Sequence, residues 1–429
     1  MFATINNNEM KNVDPWTGSI LQLYNPRGKK LEQKFYQSNN WVKQREELGT
    51  WPFGMLNYKK ESSSIHLNFS LFDYIGLSKH PEVLKAAQQV ISEYGISSSS
   101  SPSLNGRTEI SQQLENKTAQ LLNKETCLLY PSGWAACYGA ITGIANARDT
   151  IIIDQLAHNC LATAAKSVTN DLLKFRHNDS NHLKELLEKS RTKNAENCLL
   201  IVLESLYSMN ATSPDLPKVM ELANQYEAIV VIDVAHELGT RGSHGFGILE
   251  DIDTSADNII IAGSYSKVFG TNGGFVAGPA CIRNQFLFFS PTYVYSSAMS
   301  PLQCAIILKS LDIAFSPEGD ILRNKLNAIS SYARQQFTKY GFEIDGDSSA
   351  ILPVIIGDER KSREIFPHLL KNGLLVNLIE FPVVQKGRSL FRFLLSPLMS
   401  FAEIDEAVET LVRAKEELDH GLILELNSN

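Results

Sequence analysis

The chain has 429 residues, of which 43% are hydrophobic and 20% are charged, and its formal net charge is −7. This is the composition of a globular protein that is large enough for an extensive core and for two domains. The acidic balance, with no basic stripe, excludes nucleic acid as an expected partner.

Membrane and secretory signals are missing from the sequence. No uncharged apolar stretch approaches the roughly 20 residues that a membrane-spanning helix needs, and the N-terminus has no charged-then-apolar signal pattern. The six cysteines form no C-x-x-C pair and lie mostly in apolar runs, so we expect reduced, buried residues with neither a disulfide framework nor a metal site. A cytoplasmic protein is expected.

The first 66 residues are polar and weakly periodic and form an N-terminal segment of undefined role. Within it, the basic stretch 27–30 is expected to be a surface turn, and 32–47 has helical character. A strand is predicted at 67–74, followed by a turn at Gly76 and a helix from Pro81 to a stop at Gly95. The serine-rich stretch 98–106 fits a flexible linker or a tight loop beside a site equally well.

From residue 109 onward, helices alternate with short strands that are apolar on both faces. The predicted strands are 127–130, 149–155, 198–203, 229–232 and 258–262, and helices are predicted at 109–123, after 131–134, and at 161–168, 181–189 and 215–226. This alternation predicts a mostly parallel sheet that is covered by helices on both sides, in a large domain 67–300.

The pattern changes after Pro301. Helices at 302–314, 321–340 and 403–418 and short strands at 351–356, 374–379 and 390–395 predict a smaller α+β domain, 301–429.

Polar residues follow five of the predicted strands at the point where each strand ends. They are Ser132–Gly133, Asp154–His158, Glu204–Ser208, Asp233–His236 and Ser264–Lys267. Ligands of parallel sheets bind at the carboxyl ends of the strands, so we expect these groups to face one crevice.

Lys267 and Asp233 are the two residues on which the functional prediction depends. Lys267 alone fits a solvated surface lysine, and Asp233 alone fits a helix cap or an ion-pair partner. Together, on successive strands, they match a pyridoxal 5'-phosphate (PLP) site, in which a desolvated lysine forms a Schiff base and an aspartate keeps the ring nitrogen protonated. His236, three residues after Asp233, is within reach of the ring hydroxyl or the substrate.

A phosphate cradle is indicated at Ser132–Gly133–Trp134, where a helix begins with free N–H groups and the positive end of its dipole. A plain capped helix is the alternative. Ser264 can add a hydroxyl to the same phosphate, and His158 can stack on the ring, although a single histidine is more often structural.

These motifs, in this order, resemble those of the α-oxoamine synthases of PLP fold type I. The resemblance covers residues from about 67 to 411, and its further matches are Asn68–Leu77, Phe175–Asp179, Tyr295–Ala298 and Leu390–Phe393. The family includes serine palmitoyltransferase, 8-amino-7-oxononanoate synthase, 2-amino-3-ketobutyrate CoA ligase and 5-aminolevulinate synthase.

The resemblance implies a role for each site residue. Lys267 is the Schiff-base lysine and general acid/base, Asp233 pairs with the pyridinium, and His158 stacks over the ring. The other implied cofactor contacts are His236 and Ser208 at the ring hydroxyl, Glu204 behind them, and Ser132, Gly133, Trp134 and Ser264 at the phosphate. Ser297 is implied to reach the phosphate of a neighbouring subunit, and Arg392 to bind the amino-acid carboxylate.

The implied reaction is a decarboxylating condensation of an amino acid with an acyl-CoA, which yields an α-amino ketone in a homodimer with shared active sites. The serine palmitoyltransferase-like activity is favoured over that of an amino-ketone signal synthase or an 8-amino-7-oxononanoate synthase. An aminotransferase and a catalytically silent partner subunit are the remaining alternatives, and Lys267 weighs against the second.

The sequence departs from the family at four positions, one of which is Ser111, where the family often has His. The usual D-E-A-H-S reads Asp233–Val234–Ala235–His236–Glu237, and Phe72 stands where the family often has Asn or Tyr in contact with the substrate. Phe72 lacks the hydroxyl of Tyr, so one polar contact to the amino acid is missing. A specialised substrate pair is therefore expected.

Overall fold

A computed structural model describes residues 66–420 of the chain. The predicted segment 1–66, with its expected turn at 27–30 and helix at 32–47, lies outside the described residues except for His66. None of the helices between residues 66 and 420 is long and apolar enough to cross a lipid bilayer.

The described strands and helices alternate along the chain. The strands are β1 (Leu67–Asn68), β2 (Thr126–Tyr130), β3 (Thr150–Asp154), β4 (Asp171–Phe175), β5 (Leu199–Glu204), β6 (Ala228–Asp233), β7 (Ile259–Ser264), β8 (Gly274–Gly278), β9 (Glu343–Ile344), β10 (Ile351–Gly357), β11 (Leu374–Leu375), β12 (Asn377–Ile379) and β13 (Ser389–Leu394). The helices are α1 (Pro81–Tyr94), α2 (Glu109–Leu121), α3 (Gly133–Thr142), α4 (Asn159–Val168), α5 (Ser180–Lys193), α6 (Leu216–Gln225), α7 (Cys281–Phe289), α8 (Pro291–Val294), α9 (Pro301–Ala314), α10 (Pro317–Lys339), α11 (Glu359–Lys371) and α12 (Phe401–Asp419).

A seven-stranded sheet with the order β2-β8-β7-β6-β5-β3-β4 forms the centre of the fold. Its strands pair in parallel except for β8, which runs antiparallel between β2 and β7. Strands β2, β3, β5, β6 and β7 are buried almost throughout, because their apolar side chains are covered on both faces. The predicted mostly parallel α/β sheet is confirmed.

A second, antiparallel sheet has the order β12-β13-β10-β9. In addition, β1 pairs in parallel with β11, so the first described strand joins a segment that lies far along the chain. The division at residues 300 and 301 into a large and a small domain stays a prediction.

Several predicted elements differ from those observed. The strand predicted at 67–74 is only the two-residue β1, because the Asn68 side chain accepts a hydrogen bond of 3.0 Å from the N–H of Ser70 and turns the chain there. The predicted turn at Gly76 is present, with a φ of +76°. The strand predicted at 374–379 is broken into β11 and β12. The sequence did not predict the strands β4, β8 and β9 or the helices α7, α8 and α11.

Candidate active site

The carboxyl ends of five central strands enclose a cavity of about 250 Å³. The cavity is lined by Ser132, Gly133, Trp134, His158, Cys160, Glu204, Asp233, Ala235, His236, Ser264, Ser266 and Lys267. Each of the five predicted strand ends contributes to this lining. Cys160, Ala235 and Ser266 were not among the predicted site residues, although each lies within two positions of one that was.

Lys267 and Asp233 line this cavity together. Strands β6 and β7 are parallel neighbours, and Asp233 lies opposite Ala262 in their register. Asp233 is 7% exposed, and its Oδ1 accepts a hydrogen bond of 2.9 Å from the backbone N–H of Ala235. The lysine and the carboxylate are therefore held at one site by adjacent strands.

The start of α3 forms one wall of the cavity. Ser132 caps this helix, since its Oγ accepts a hydrogen bond of 3.2 Å from the N–H of Ala135. A Cβ on Gly133 would lie 2.4 Å from Cβ and 2.6 Å from Oγ of Ser264. Only glycine leaves this space open, and the first N–H groups of the helix are the anion-binding groups beside it. The ring of Trp134 stacks on Tyr138 at 5.1 Å, so the role predicted for Trp134 rests on its backbone.

Two buried carboxyl groups lie side by side on neighbouring strands. Glu204 lies opposite Asp233 in the register of β5 and β6, and it is 3% exposed. Its Oε1 accepts a hydrogen bond of 2.6 Å from the backbone N–H of His158. Burial, reinforced by Asp233, raises the pKa of Glu204 well above its usual range. Glu204 therefore fixes the backbone of His158 beside a second buried carboxyl group.

His158 begins α4 and contacts a thiol. Its Nδ1 lies 2.9 Å from Sγ of Cys160. The hydrogen bond with Cys160 raises the pKa of His158 to about 9, and hydrogen bonding from Cys137 lowers the pKa of Cys160 to about 6. Nδ1 of His158 also accepts a hydrogen bond of 3.2 Å from the backbone N–H of Cys160, which caps α4.

A cluster of aromatic and basic side chains borders the opposite side. The hydroxyl of Tyr74 and Nδ1 of His236 are 2.9 Å apart. Burial and the charge of Lys267 lower the pKa of His236 well below its usual range, so its imidazole is neutral. The Phe72 ring centroid lies 5.9 Å from that of His236 and 5.4 Å from the guanidinium carbon of Arg392. Arg392 therefore contacts Phe72, and Phe72 contacts His236, which lines the cavity.

Arg392 is a buried cation without an ion-pair partner among residues 66–420. It is 6% exposed, and its Nη1 donates a hydrogen bond of 2.9 Å to the carbonyl of Ser208. Its Nε has no hydrogen-bond partner within the described chain, and burial lowers its pKa. A buried cation with an unsatisfied donor favours binding of an anion.

Two predicted contacts lie apart from the lysine cavity. Ser208 lines a second cavity, of about 260 Å³, whose walls include Leu156, Met209, Val384 and Leu390. Ser297 is exposed in the loop after α8, and its predicted contact with a neighbouring subunit stays a prediction. Tyr74 and Cys137 were not predicted as site residues, because their contacts are made across the fold.

Comparison with known proteins decides the family. The family model described as aminotransferase class I and II matches residues 64–411. The chain belongs to the aminotransferase class I and II family. The predictions of an enzyme and of PLP as its cofactor are confirmed at the level of the family.

Relatives in this aminotransferase family identify the closer group. Serine palmitoyltransferase of Sphingobacterium spiritivorum is 33% identical over 347 residues, which cover 81% of this chain and 86% of that protein. The 8-amino-7-oxononanoate synthase of Alkaliphilus oremlandii is 31% identical over 353 residues, which cover 82% and 88%. The predicted resemblance to the α-oxoamine synthases is therefore confirmed.

The fold is also that of a solved relative. The structure of serine palmitoyltransferase with a PLP internal aldimine superposes with a TM-score of 0.79 at 22% identity, covering 91% of this chain and 99% of that one. This likeness confirms the predicted fold type.

Proposed function

We propose that this enzyme condenses an amino acid with an acyl thioester and releases CO2, which gives an α-amino ketone. The proposal is supported by the two synthase relatives and, within the site, by one observation above the others: the buried Arg392 has no counter-ion among the described residues. A substrate carboxylate is the anion that such a guanidinium binds best.

The residues around the lysine cavity fit PLP. The space beside Gly133, which a Cβ would fill, together with the N-terminus of α3 and the Ser264 hydroxyl, suits the phosphate. Asp233 suits a protonated ring nitrogen and His158 a ring face, and Lys267 supplies the amine. When bound, PLP withdraws electron density from the α-carbon of the amino acid.

The protein groups then act on the substrates directly. Arg392 holds the carboxylate of the amino acid and orients its Cα. Lys267 Nζ removes the proton from Cα and later returns one to it. A C–C bond forms between Cα and the thioester carbonyl carbon, the C–S bond breaks, and the carboxylate leaves as CO2. His236 is neutral and is hydrogen-bonded to Tyr74 through Nδ1. When the Tyr74 hydroxyl donates this hydrogen bond, Nε2 of His236 carries the ring proton and can donate it in a hydrogen bond to the substrate.

The second cavity is proposed to receive the acyl chain. It shares Ser208 and Met209 with the surroundings of Arg392, and its walls carry the apolar side chains of Leu156, Val384 and Leu390. A bulky substitution such as V384W is expected to reduce kcat/KM more for long acyl thioesters than for short ones. Equal loss for all chain lengths would contradict this assignment.

A serine palmitoyltransferase-like substrate pair is proposed first, and an 8-amino-7-oxononanoate synthase-like pair second, because relatives of both kinds match at comparable identity. Serine, glycine and alanine are each incubated with a series of acyl-CoA thioesters, and free thiol and CO2 are measured. Thiol release with one amino acid supports the proposal, and K267A is the inactive control. Transfer of the amino group to a keto acid without thiol release would instead indicate an aminotransferase.

A cytoplasmic homodimer is also proposed. Phe288, Phe289 and Tyr295, which precede Ser297, are 72%, 63% and 88% exposed. Exposed aromatic groups of this kind are typical of an interface. The six cysteines are free, as expected for a reducing compartment. A monomer with full activity in size-exclusion chromatography would contradict the dimer.

A further inference from the structure

Two cysteines meet the proposed cofactor carboxylate at the floor of the lysine cavity. The Sγ atoms of Cys137 and Cys160 and a carboxylate oxygen of Asp233 all lie within 4.8 Å of one another. Cys137 is 1% exposed and Cys160 is 2% exposed. The two residues lie on successive helices without C-x-x-C spacing, which is why the sequence pattern gave no sign of this cluster.

His158 lies beside the cluster but is not one of its three donors. Its Nδ1 lies 2.9 Å from Sγ of Cys160, and its backbone N–H is fixed by Glu204 at 2.6 Å. Two thiolates and one carboxylate, with water in the fourth position, are ligands that Zn²⁺ accepts in tetrahedral sites. Thiolates at about 2.3 Å from a tetrahedral zinc ion are about 3.8 Å apart, so side-chain shifts of roughly 1 Å suffice.

The helices that carry the thiols are anchored in the core. Cys137 and Cys160 belong to one buried cluster with Ala136, Ala140 and Leu161. The backbone is therefore held in place, and only side-chain rotation is needed to close the two thiolates and the carboxylate on an ion. Such a preformed arrangement lowers the cost of binding.

The charges of the cluster also suit a divalent cation. Zn²⁺ binds cysteine as the thiolate, so binding releases the thiol protons of the two cysteines to solvent. Two thiolates and one carboxylate then leave a single negative charge on the complex, and the ammonium of Lys267 lines the same cavity. This balance limits the cost of a buried charge.

We propose that Cys137, Cys160 and Asp233 bind one thiophilic divalent cation, such as Zn²⁺, in the cofactor-free protein. We further infer that the cation and PLP exclude one another, because both require Asp233, and this second part rests on the proposed function. The cluster thus gives the cofactor-free enzyme a metal-bound form.

The test uses Co²⁺ as a spectroscopic probe of the full-length protein stripped of cofactor. The expected result is one Co²⁺ per chain with a thiolate-to-cobalt charge-transfer absorption, which Zn²⁺ abolishes. C137A and C160A are each expected to lose this absorption and to weaken binding by at least about tenfold. C281A is the matched control, because Cys281 is an exposed thiol outside the cluster.

A second arm separates the two parts of the proposal. Protein saturated with PLP is expected to bind no Co²⁺ at this site, and PLP added to the zinc form is expected to release zinc to a metal-sensitive dye. PLP absorbance of the variants shows that they are folded. Absence of the charge-transfer absorption, or its survival in both C137A and C160A, would overturn the metal site whether or not PLP binds. Simultaneous binding of metal and PLP would overturn the exclusion.

Discussion

Glu237 stands where the family usually has serine, and its buried carboxyl makes stability depend on pH. The residue is 1% exposed, and its Oε1 accepts a hydrogen bond of 2.9 Å from Nη1 of Arg241. A Cβ on Gly247, whose φ is +59°, would lie 2.1 Å from Cδ of Glu237, so the surrounding loop closes tightly on the carboxyl. Burial raises the pKa of Glu237 from 4.5 to about 7, although Arg241 opposes the shift.

The direction in which stability changes with pH follows from the higher pKa of Glu237 in the folded state. Between pH 4.5 and about 7 the folded protein holds a proton that the unfolded chain releases, so this stabilisation is complete below 4.5 and is lost as the pH rises through 7. A shift of this size corresponds to about 3 kcal/mol. E237Q removes the titrating group and keeps the shape of the side chain.

The assay is urea unfolding of wild type and E237Q, followed by tryptophan fluorescence at pH values below 4.5 and above 7. The unfolding free energy of E237Q relative to wild type is expected to rise by about 3 kcal/mol across this range. A difference that does not vary with pH would show that the carboxyl titrates normally, and the desolvation reasoning would be refuted.

Three substitutions near the lysine cavity have further expected outcomes. R392K keeps the positive charge but loses the planar guanidinium. Its affinity for the amino acid, measured by spectral titration, is expected to fall about 10- to 100-fold, while its affinity for PLP is kept. An unchanged amino-acid affinity would contradict the proposal that Arg392 binds the substrate carboxylate. G133A places a Cβ 2.4 Å from Cβ of Ser264 and is expected to weaken PLP binding at least about tenfold in a fluorescence titration. Wild-type PLP affinity in G133A would argue against the phosphate cradle. F72Y restores a hydroxyl beside Arg392 and is expected to tighten amino-acid binding about fivefold, and no change would show that the hydroxyl does not reach the substrate.

Most of the residues that line the lysine cavity could be predicted from the sequence to lie together. Parallel strands that end in polar residues bring those residues to one edge of the sheet, and this rule alone joined Ser132, His158, Glu204, Asp233 and Lys267. This grouping requires no knowledge of side-chain contacts, because the alternation of strands and helices determines at which edge of the sheet the strands end.

Other elements gave no such local signal. Strand β8 begins and ends with glycine, which weakens its local strand pattern, and pairing with β2 and β7 on both sides forms it. Strand β4 lies at the sheet edge and is only half-buried, so its apolar pattern is weak. Helix α11 contains Pro367 in its interior, a residue that normally argues against a helix.

Long-range contacts account for the remaining differences. Packing of distant segments produces the hydrogen bond between Tyr74 and His236 and the approach of Cys137 to Asp233. Neither contact can be predicted from the spacing of residues along the chain. The resemblance to a family supplied Arg392, which no local pattern singles out.

The most direct test of the central claim is to locate the bond between PLP and the protein. The enzyme is reconstituted with PLP, reduced with borohydride, digested, and analysed by mass spectrometry. The expected result is one pyridoxyl group on the peptide that contains Lys267, and none in K267A. Labelling of a different lysine, or no labelling of the wild-type protein, would contradict the claim that Lys267 and Asp233 form the cofactor site.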